Sequence, residues 1–366
     1  KSFTTKIGLL MQTDARFYAE TSSTVKDAFL LRRIRLPITG TIGKFFKFDL
    51  TPEFAQADNT AANLNSQLFD GWVEARISPL FGLKFGKFRT PVVLSGPDNR
   101  HFIEASWPNY LAPNRDIGID ASGALAEGIF TYRLGIYNGA PNNVWNQTTD
   151  IDDHVTIEGR LGLDPFKNRD DFLSGLSFSI GASYGSEYGQ AASQIRTAGQ
   201  QNFITVGTAY GDHLRVAPAL SWYYGPVSVV GEFVIDDYEH IASTTGKRVT
   251  NYGWSVAGGW VITGEKSTAS GVTPAAPFNL GSGSFGAFEI VARVGGLDVD
   301  ESIHSANNAG SAFSYGVGLN WYLTANILFR LGIERTHFGG VKAAAGATSV
   351  VKDDETYVFS RFQLKF

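Results

Sequence analysis

The chain has 366 residues, of which 43% are hydrophobic, 13% aromatic and 18% charged, with 41 glycines, one methionine and no cysteine. Charge lies below the ~25% of ordinary soluble domains and glycine above the usual ~7%. The 27 Phe, 14 Tyr and 7 Trp exclude a disordered chain, the missing cysteines exclude disulfides, thiolate metal sites and thiol nucleophiles, and a net charge of −4 leaves no electrostatic footprint for nucleic acid. Composition is even along the chain, so one domain over 1–366 is expected.

Apolar runs reach only about four to seven residues, far short of the ~18–20 of a membrane-spanning helix. A lipid-facing β-barrel escapes that test, because its apolar residues alternate with polar ones. The start at Lys1 carries no leader-like stretch, which reads as a signal peptide removed or omitted.

Alternation of period two runs through the chain. It predicts strands near 3–17, 28–39, 44–54, 68–77, 83–90, 116–124, 129–138 and 154–163. A second set follows near 173–185, 213–223, 226–236, 251–263, 286–296, 312–323, 326–335 and 356–366. The first clear case is Phe130, Tyr132, Leu134 and Ile136 against Thr131, Arg133, Gly135 and Tyr137. Later ones are Leu214 to Trp222, Phe313 to Trp321, and Val358, Ser360, Phe362, Leu364 and Phe366 against Arg361, Gln363 and Lys365.

Sixteen strands at about 23 residues per strand and connection suit an outer-membrane barrel. Connections alternate long and short, as loops and periplasmic turns do: 55–67 is long, Ser78–Gly82 short, 91–115 very long, 186–212 long, Tyr224-Gly225 short. Two break the rule, 164–172 by middling length and Gly264–Phe285 by being long where a short turn is due. Aromatics near strand ends (Phe45, Phe46, Tyr110, Trp222, Tyr223, Tyr224, Trp321, Tyr322) are expected to form interfacial girdles. Phe366, an aromatic on an alternating last strand, resembles the signal read by the barrel assembly machinery. The reading is an all-β, 16-stranded antiparallel transmembrane barrel in the outer membrane, set among lipid and lipopolysaccharide.

Several stretches resemble the phosphate-selective porin O and P family. They are Leu31-Arg32-Arg33-Ile34-Arg35-Leu36 with Thr39-Gly40, then Phe85 to Pro91, Leu111-Ala112-Pro113-Asn114-Arg115-Asp116-Ile117-Gly118, and Tyr132 to Gly139. Thr263-Gly264-Glu265 with Gly286 to Glu289 and Arg293 also match. The resemblance implies a homotrimer of sixteen-stranded barrels, a third loop folded inward as a constriction, and inward cations that bind small anions such as phosphate. It also implies that the family tolerates a long segment after Thr-Gly-Glu.

Taking the lumen face as the parity opposite the apolar one, the inward arginines are Arg33, Arg35, Arg76, Arg133, Arg160, Arg215, Arg293, Arg330 and Arg361. The inward carboxylates are Asp49, Glu53, Asp70, Glu74, Glu158, Glu232, Glu289 and Glu334. Glu158 and Arg160 are expected to pair along one strand. Loops near 25 residues are seldom idle, and length together with the resemblance makes 91–115 the expected constriction, with Arg100 and Arg115 at the eyelet and Tyr110 as a steric wall; packed outward, the same residues would only decorate the rim. Arg33, Arg35, Arg76 and Arg133 flank it and should converge on the same narrow place. Arginine suits carboxylate or phosphate through donors that never deprotonate.

Acidic clusters at Asp150, Asp152, Asp153, at Asp298, Asp300, Glu301 and at Asp353, Asp354, Glu355 could hold calcium, but solvated loop charge is the plainer reading. The six histidines (His101, His154, His213, His240, His304, His337) lack metal-ligand spacing. No cofactor or catalytic motif is evident. A passive channel with an anion preference is therefore expected. Against it stand a non-conducting adhesin or receptor barrel, and an outer-membrane hydrolase that would need a histidine within reach of a serine.

Overall fold

Backbone amides in a bilayer can be satisfied only by neighbouring strands, so a spanning sheet has to close on itself. In a computed structural model that describes residues 3–19, 26–55, 67–96, 100–150, 152–242, 246–303, 309–339 and 354–366, it does. The segments are β1 (Phe3–Ile7), β2 (Leu10–Tyr18), β3 (Ala28–Arg35), β4 (Ile38–Ile42), β5 (Phe46–Ala55), β6 (Gln67–Ser78), β7 (Phe81–Arg89), β8 (Arg115–Leu125) and β9 (Phe130–Tyr137). They continue as β10 (Thr156–Leu163), β11 (Leu176–Arg196), β12 (Asn202–Tyr224), β13 (Val227–Ile241), β14 (Val249–Val261), β15 (Ala287–Asp298), β16 (Ser311–Tyr322), β17 (Ile327–Gly339) and β18 (Glu355–Lys365). One short helix, α1 (Trp107–Tyr110), lies between β7 and β8.

These segments make sixteen staves, because β1 with β2 and β3 with β4 are each one strand interrupted. Pro37 interrupts the second, having no amide to give the ladder, and Gly8 N–H bonds its carbonyl at 2.9 Å. Every neighbour is antiparallel, and β18 pairs β2 from Tyr357↔Tyr18 to Lys365↔Leu10, closing the ring. Phe366 continues that seam through backbone bonds to Leu9 of 3.0 Å in both directions.

The two faces of the wall follow the alternation. On β9, Leu134 and Ile136 are 58% and 54% exposed while Tyr137 is 1% exposed. The apolar belt faces outward and the buried polar side chains face the lumen. Phe45, Phe46, Phe130, Tyr224, Trp260 and Phe285 are exposed near the short-turn rim, as a girdle requires. Tyr110, Tyr223 and Tyr322 do not join it. Tyr110 and Tyr322 are each no more than 5% exposed, and Tyr223 borders an internal cavity.

Connection 186–212 is mostly strand rather than loop. β11 and β12 stay paired up to Arg196↔Asn202, leaving a tight end at 197–201. Beyond the bilayer no lipid demands an apolar face, so the Gly, Ser, Gln and Ala residues there show no alternation although the ladder continues. The long connection Gly264–Phe285 joins β14 to β15, which are direct neighbours from Tyr252↔Asp298 to Val261↔Glu289. The strand count is therefore unaffected by it.

Two bulges reverse the parity of the residues they add. Gln12 faces Arg33 and Thr13 faces Leu31, so Arg32 is the extra residue on β3. Thr51 faces Asp70 and Pro52 faces Leu68, so Phe69 is the extra residue on β6.

Gly86 sits at φ +120, and a Cβ there would lie 2.2 Å from the Gly71 carbonyl oxygen. Gly86→Val is expected to destabilise the barrel by roughly 2–3 kcal/mol. Gly43→Asn, at φ +64 with open space around it, should cost far less. Urea midpoints of the two refolded variants in detergent check this ordering.

Candidate functional site

Inside the barrel, a row of directly paired inner-face residues runs Glu289, Asn320, Arg330, Arg361 and Asp14 across β15, β16, β17, β18 and β2. Consecutive residues of the 91–115 loop are held by consecutive staves of that row. Arg100 forms a bidentate pair with Glu289 at 2.8 Å. The His101 carbonyl accepts from Asn320 at 3.2 Å, the Phe102 carbonyl from Arg330 at 2.5 Å and the Ile103 carbonyl from Arg361 at 2.6 Å. Arg16 of β2 donates to Glu104 at 2.5 Å.

Arg32 completes the clasp, bonding Glu104 through Nε at 2.8 Å and Nη2 at 3.1 Å. It reaches inward only because the bulge turns it there. Asp14 bridges Arg16 at 2.7 Å and Arg361 at 2.6 Å. Arg293 bonds the Glu104 carbonyl at 2.9 Å and Glu334 at 2.6 Å, above the Phe102 ring. Further along the loop, Trp107 donates to Ser314 at 2.9 Å. Val92, Trp107, Tyr110 and Leu111 pack with Ile204, Val206, Val234 and Tyr238 of the tall β12–β13 wall. Thr90 Oγ1 donates to the Pro113 carbonyl at 2.8 Å, clasping the loop's base.

Burial opposes ionisation of Glu104, but Arg32 and Arg16 outweigh it and hold the carboxyl well below its usual range. Burial, then Arg100, drives His101 down to about 3, so its hydrogen bond with Ser228 at 2.9 Å is one between neutral groups. Burial raises Tyr110 to about 12.

The arginines expected to converge fall into separate groups. Arg100 is at β15, whereas Arg115 is at the far wall, bonded to Asp70 at 3.1 Å and to Asn114 at 2.8 Å. Arg115 and Arg35 stack on the Phe69 ring, each 3.4 Å from its centroid. Arg35 also bonds Glu53 at 2.6 Å, and Arg33 bonds Gln12 at 2.9 Å. Arg76 pairs with Glu74 and Arg133 with Asp120, keeping 34% and 31% of their side chains exposed. Lys84 lies over the Trp72 ring at 4.3 Å. Tyr110 does not front the lumen, being 4% exposed with its hydroxyl 3.5 Å from Gln200 Nε2.

The Glu158–Arg160 pair does not form. Arg160 stands opposite Arg133 and Glu158 opposite Gly135, and both carboxylate oxygens of Glu158 lack a hydrogen-bond partner. Sequence reasoning also passed over Asp14 and Arg16, though Gln12, Asp14 and Arg16 alternate plainly with Met11, Thr13 and Ala15.

The acidic clusters are structural where described. Asp152 accepts from Tyr188 N–H at 2.8 Å, Asp300 from Ser302 N–H at 2.9 Å, and Asp354 from Arg335 at 3.0 Å. Asp353 and His304 lie outside the described residues. Among the described residues no group of three His, Asp or Glu side chains could hold a metal ion. His213 is held between Glu187 and Asp236 and stacks on Tyr238 at 3.7 Å.

Removing the Glu104 charge takes from Arg32 the carboxylate it bonds and leaves Arg16 and Arg361 to share Asp14, all in a buried space. Glu104→Gln should cost roughly 3–5 kcal/mol, seen as a lower temperature for the folded-to-unfolded gel shift. Because the folded carboxyl titrates below its unfolded value, its contribution is full above the ordinary carboxylate range. It is lost only as pH falls through the lower folded value. Wild-type protein should therefore keep this advantage over the variant at pH 5 and lose it in stronger acid.

The model of the family described as phosphate-selective porin O and P matches residues 5–366. A search of curated protein sequences finds no relative. Among solved structures, the chain resembles an anion-selective porin from Comamonas acidovorans at 12% identity over all of both chains, with a TM-score of 0.61. It resembles the outer membrane protein OmpT of Vibrio cholerae, in trimer form, at 10% identity over all of both chains, with a TM-score of 0.62. The outer membrane channel DcaP of Acinetobacter baumannii is 9% identical over 99% of this chain and 97% of that one, with a TM-score of 0.62. At such identities the likeness concerns the fold. With a closed barrel, an apolar outer belt and a match along nearly its whole length, the chain is an outer-membrane porin and belongs to the phosphate-selective porin O and P family.

Proposed function

We propose that the protein is a trimeric, passive diffusion channel that prefers small anions, phosphate among them, with the 91–115 loop as its constriction. The observation that carries the anion preference is the unequal use of arginine around the lumen. On β2, β3 and β15–β18, Arg16, Arg32, Arg293, Arg330 and Arg361 spend their donors on the loop and its carboxylates. On β6–β9, Arg76 and Arg133 keep about a third of their side chains open, and Lys84 rests on an aromatic ring. Attraction there is felt in a narrow, low-dielectric space and outweighs the chain's net charge of −4. Arg33, Arg35 and Arg115 add to that field from behind. The selectivity named for the Comamonas porin and the trimer named for the Vibrio protein agree with this reading.

The hydrolase alternative has a serine–histidine contact to point to, Ser228 with His101. Ser228 is 0% exposed, and the neighbouring cavity is lined by His101 but not by Ser228, so this serine is not presented to a substrate. The outer surface, with Phe366 on the closing seam, faces lipid and lipopolysaccharide and is what the assembly machinery would handle.

In a planar bilayer under a salt gradient, the wild-type reversal potential should carry the anion-selective sign. Arg76→Ala with Arg133→Ala should move it toward cations by a clear part of the Nernst limit; a cation-selective wild type would overturn the reading. Phe366→Ser should lower the amount of folded barrel in outer membranes while leaving conductance per channel as it was, measured by heat-shifted gel bands and single-channel recording.

A further inference from the structure

Residues 100–104 of the third loop are fastened to β15–β18 and β2, but its far limb, 111–115, hangs from the connection between β9 and β10. The Val144 carbonyl accepts the Asn114 and Arg115 amides at 3.3 and 3.2 Å, and Asn143 N–H donates to the Ala112 carbonyl at 2.8 Å. Asp116, next along the limb, accepts the Gly139 and Ala140 amides at 2.7 and 2.8 Å. Between these anchors, Asn142 reaches into the wall of β11–β13.

The Asn142 side chain is fully used there. Nδ2 donates to Asp236 and to the Tyr238 hydroxyl at 3.0 Å each, and Oδ1 accepts from Arg215 Nε at 2.6 Å. Asp236 is also bonded by His213 Nε2 at 2.6 Å and by Asn251 of β14 at 3.1 Å. His213 Nδ1 bonds Glu187 of β11, which Arg215 Nη2 approaches at 3.5 Å. Arg215 also donates to Ser183 at 3.2 Å, and Glu158 of β10 stands opposite Ser183 from the other side. The imidazole lies on the Tyr238 ring, centroids 3.7 Å apart. Asn142, Glu187, His213, Arg215, Asp236 and Tyr238 are each no more than 4% exposed.

Carboxylates only accept, so with one on each ring nitrogen both nitrogens donate and the ring is an imidazolium. Glu187 and Asp236 then face two cations, His213 and Arg215, and the buried charges balance. A neutral imidazole has one N–H and turns a lone pair to the other carboxylate. Loss of the proton thus leaves two negative charges to one guanidinium, with a carboxylate against that lone pair.

We propose that His213 is a positioning residue whose proton sets the constriction: the imidazolium ties Glu187 to Asp236, Asp236 and Arg215 hold Asn142, and the segment hung on Asn142 fixes the 111–115 limb. Deprotonation as pH rises sets the two carboxylates against each other, admits water and lets Asn142 go. His213 acts on the pore through that segment and not by touching solute. The proposal rests on the reading of 91–115 as the constriction.

His213→Gln keeps a hydrogen-bonding group but cannot carry the charge, and Asn142→Ala cuts the link to the loop. Heat-shifted gel migration shows whether each folds. At about pH 6 in detergent, hydrogen–deuterium exchange over 111–116 and 139–146 should be at least about fivefold faster in both variants than in wild type, with β15–β18 unchanged. Unchanged exchange in those segments would overturn the proposal. If neither variant folds, wild type alone decides: its exchange there, corrected for the intrinsic effect of pH, should rise relative to β15–β18 between about pH 6 and about pH 9, and no rise would refute the role. In a planar bilayer, wild-type closures should be at least about threefold more frequent at the higher pH, while His213→Gln closes that often at both. A pH dependence that survives in His213→Gln would assign it to another group and sink the proposal. Exchange that responds while closures do not would support the hold and instead fail the reading of 91–115 as the constriction.

Discussion

Keeping a carboxylate ionised at 2% exposure requires cations in place of its water, and Glu104 is met by Arg16, Arg32 and Arg361. The path of the third loop depends on that meeting. Glu104 ends a run of five loop residues, 100–104, each taken by the next stave around the wall, so one row of paired side chains sets the height and direction of the loop. Because wall and loop carry the opposite halves of the network, neither is satisfied without the other. The cost of burying so many charges is offset only when the whole set is in place.

Much of the architecture could be read from the period-two alternation. Sixteen strands, their faces and the seam at Phe366 all follow from where apolar residues fall. The reading fails wherever a different force acts. On β11 and β12 the ladder rises beyond the lipid, so residues such as Ser186 and Gln190 obey strand geometry without an apolar face to reveal it. Arg32 and Phe69 sit on the wrong parity for the lumen and are turned inward by bulges, which no hydrophobic pattern encodes. Glu158 and Arg160 share a face and a spacing, yet no bond forms between them, and both Glu158 oxygens stay without a hydrogen-bond partner.

Arginine placement was legible, but arginine employment was not. Counting inward charges shows near balance, which says little about the pore, because the balance is struck locally. One arc of the wall uses its arginines as fasteners, and the other leaves Arg76 and Arg133 partly open. What distinguishes the two is which loop carbonyls and carboxylates lie opposite, information that exists only after the chain has closed. Arg100 is the sharpest case: the same residue, expected at the eyelet, spends its donors on Glu289 and Tyr322 of the wall and on Ser267 and Thr268.

The 21 and 23 residues of β11 and β12 are about twice the ~10 that cross a bilayer. The excess stands above the outer surface as a sheet, exposing Tyr184 and Tyr188 on its far side and offering Ile204 and Val206 to the loop on its near side. Among the described residues, β11 and β12 thus form one tall side of the mouth. That sheet covers the buried flank of the 91–115 loop, a short arm of chain screened by a much taller one.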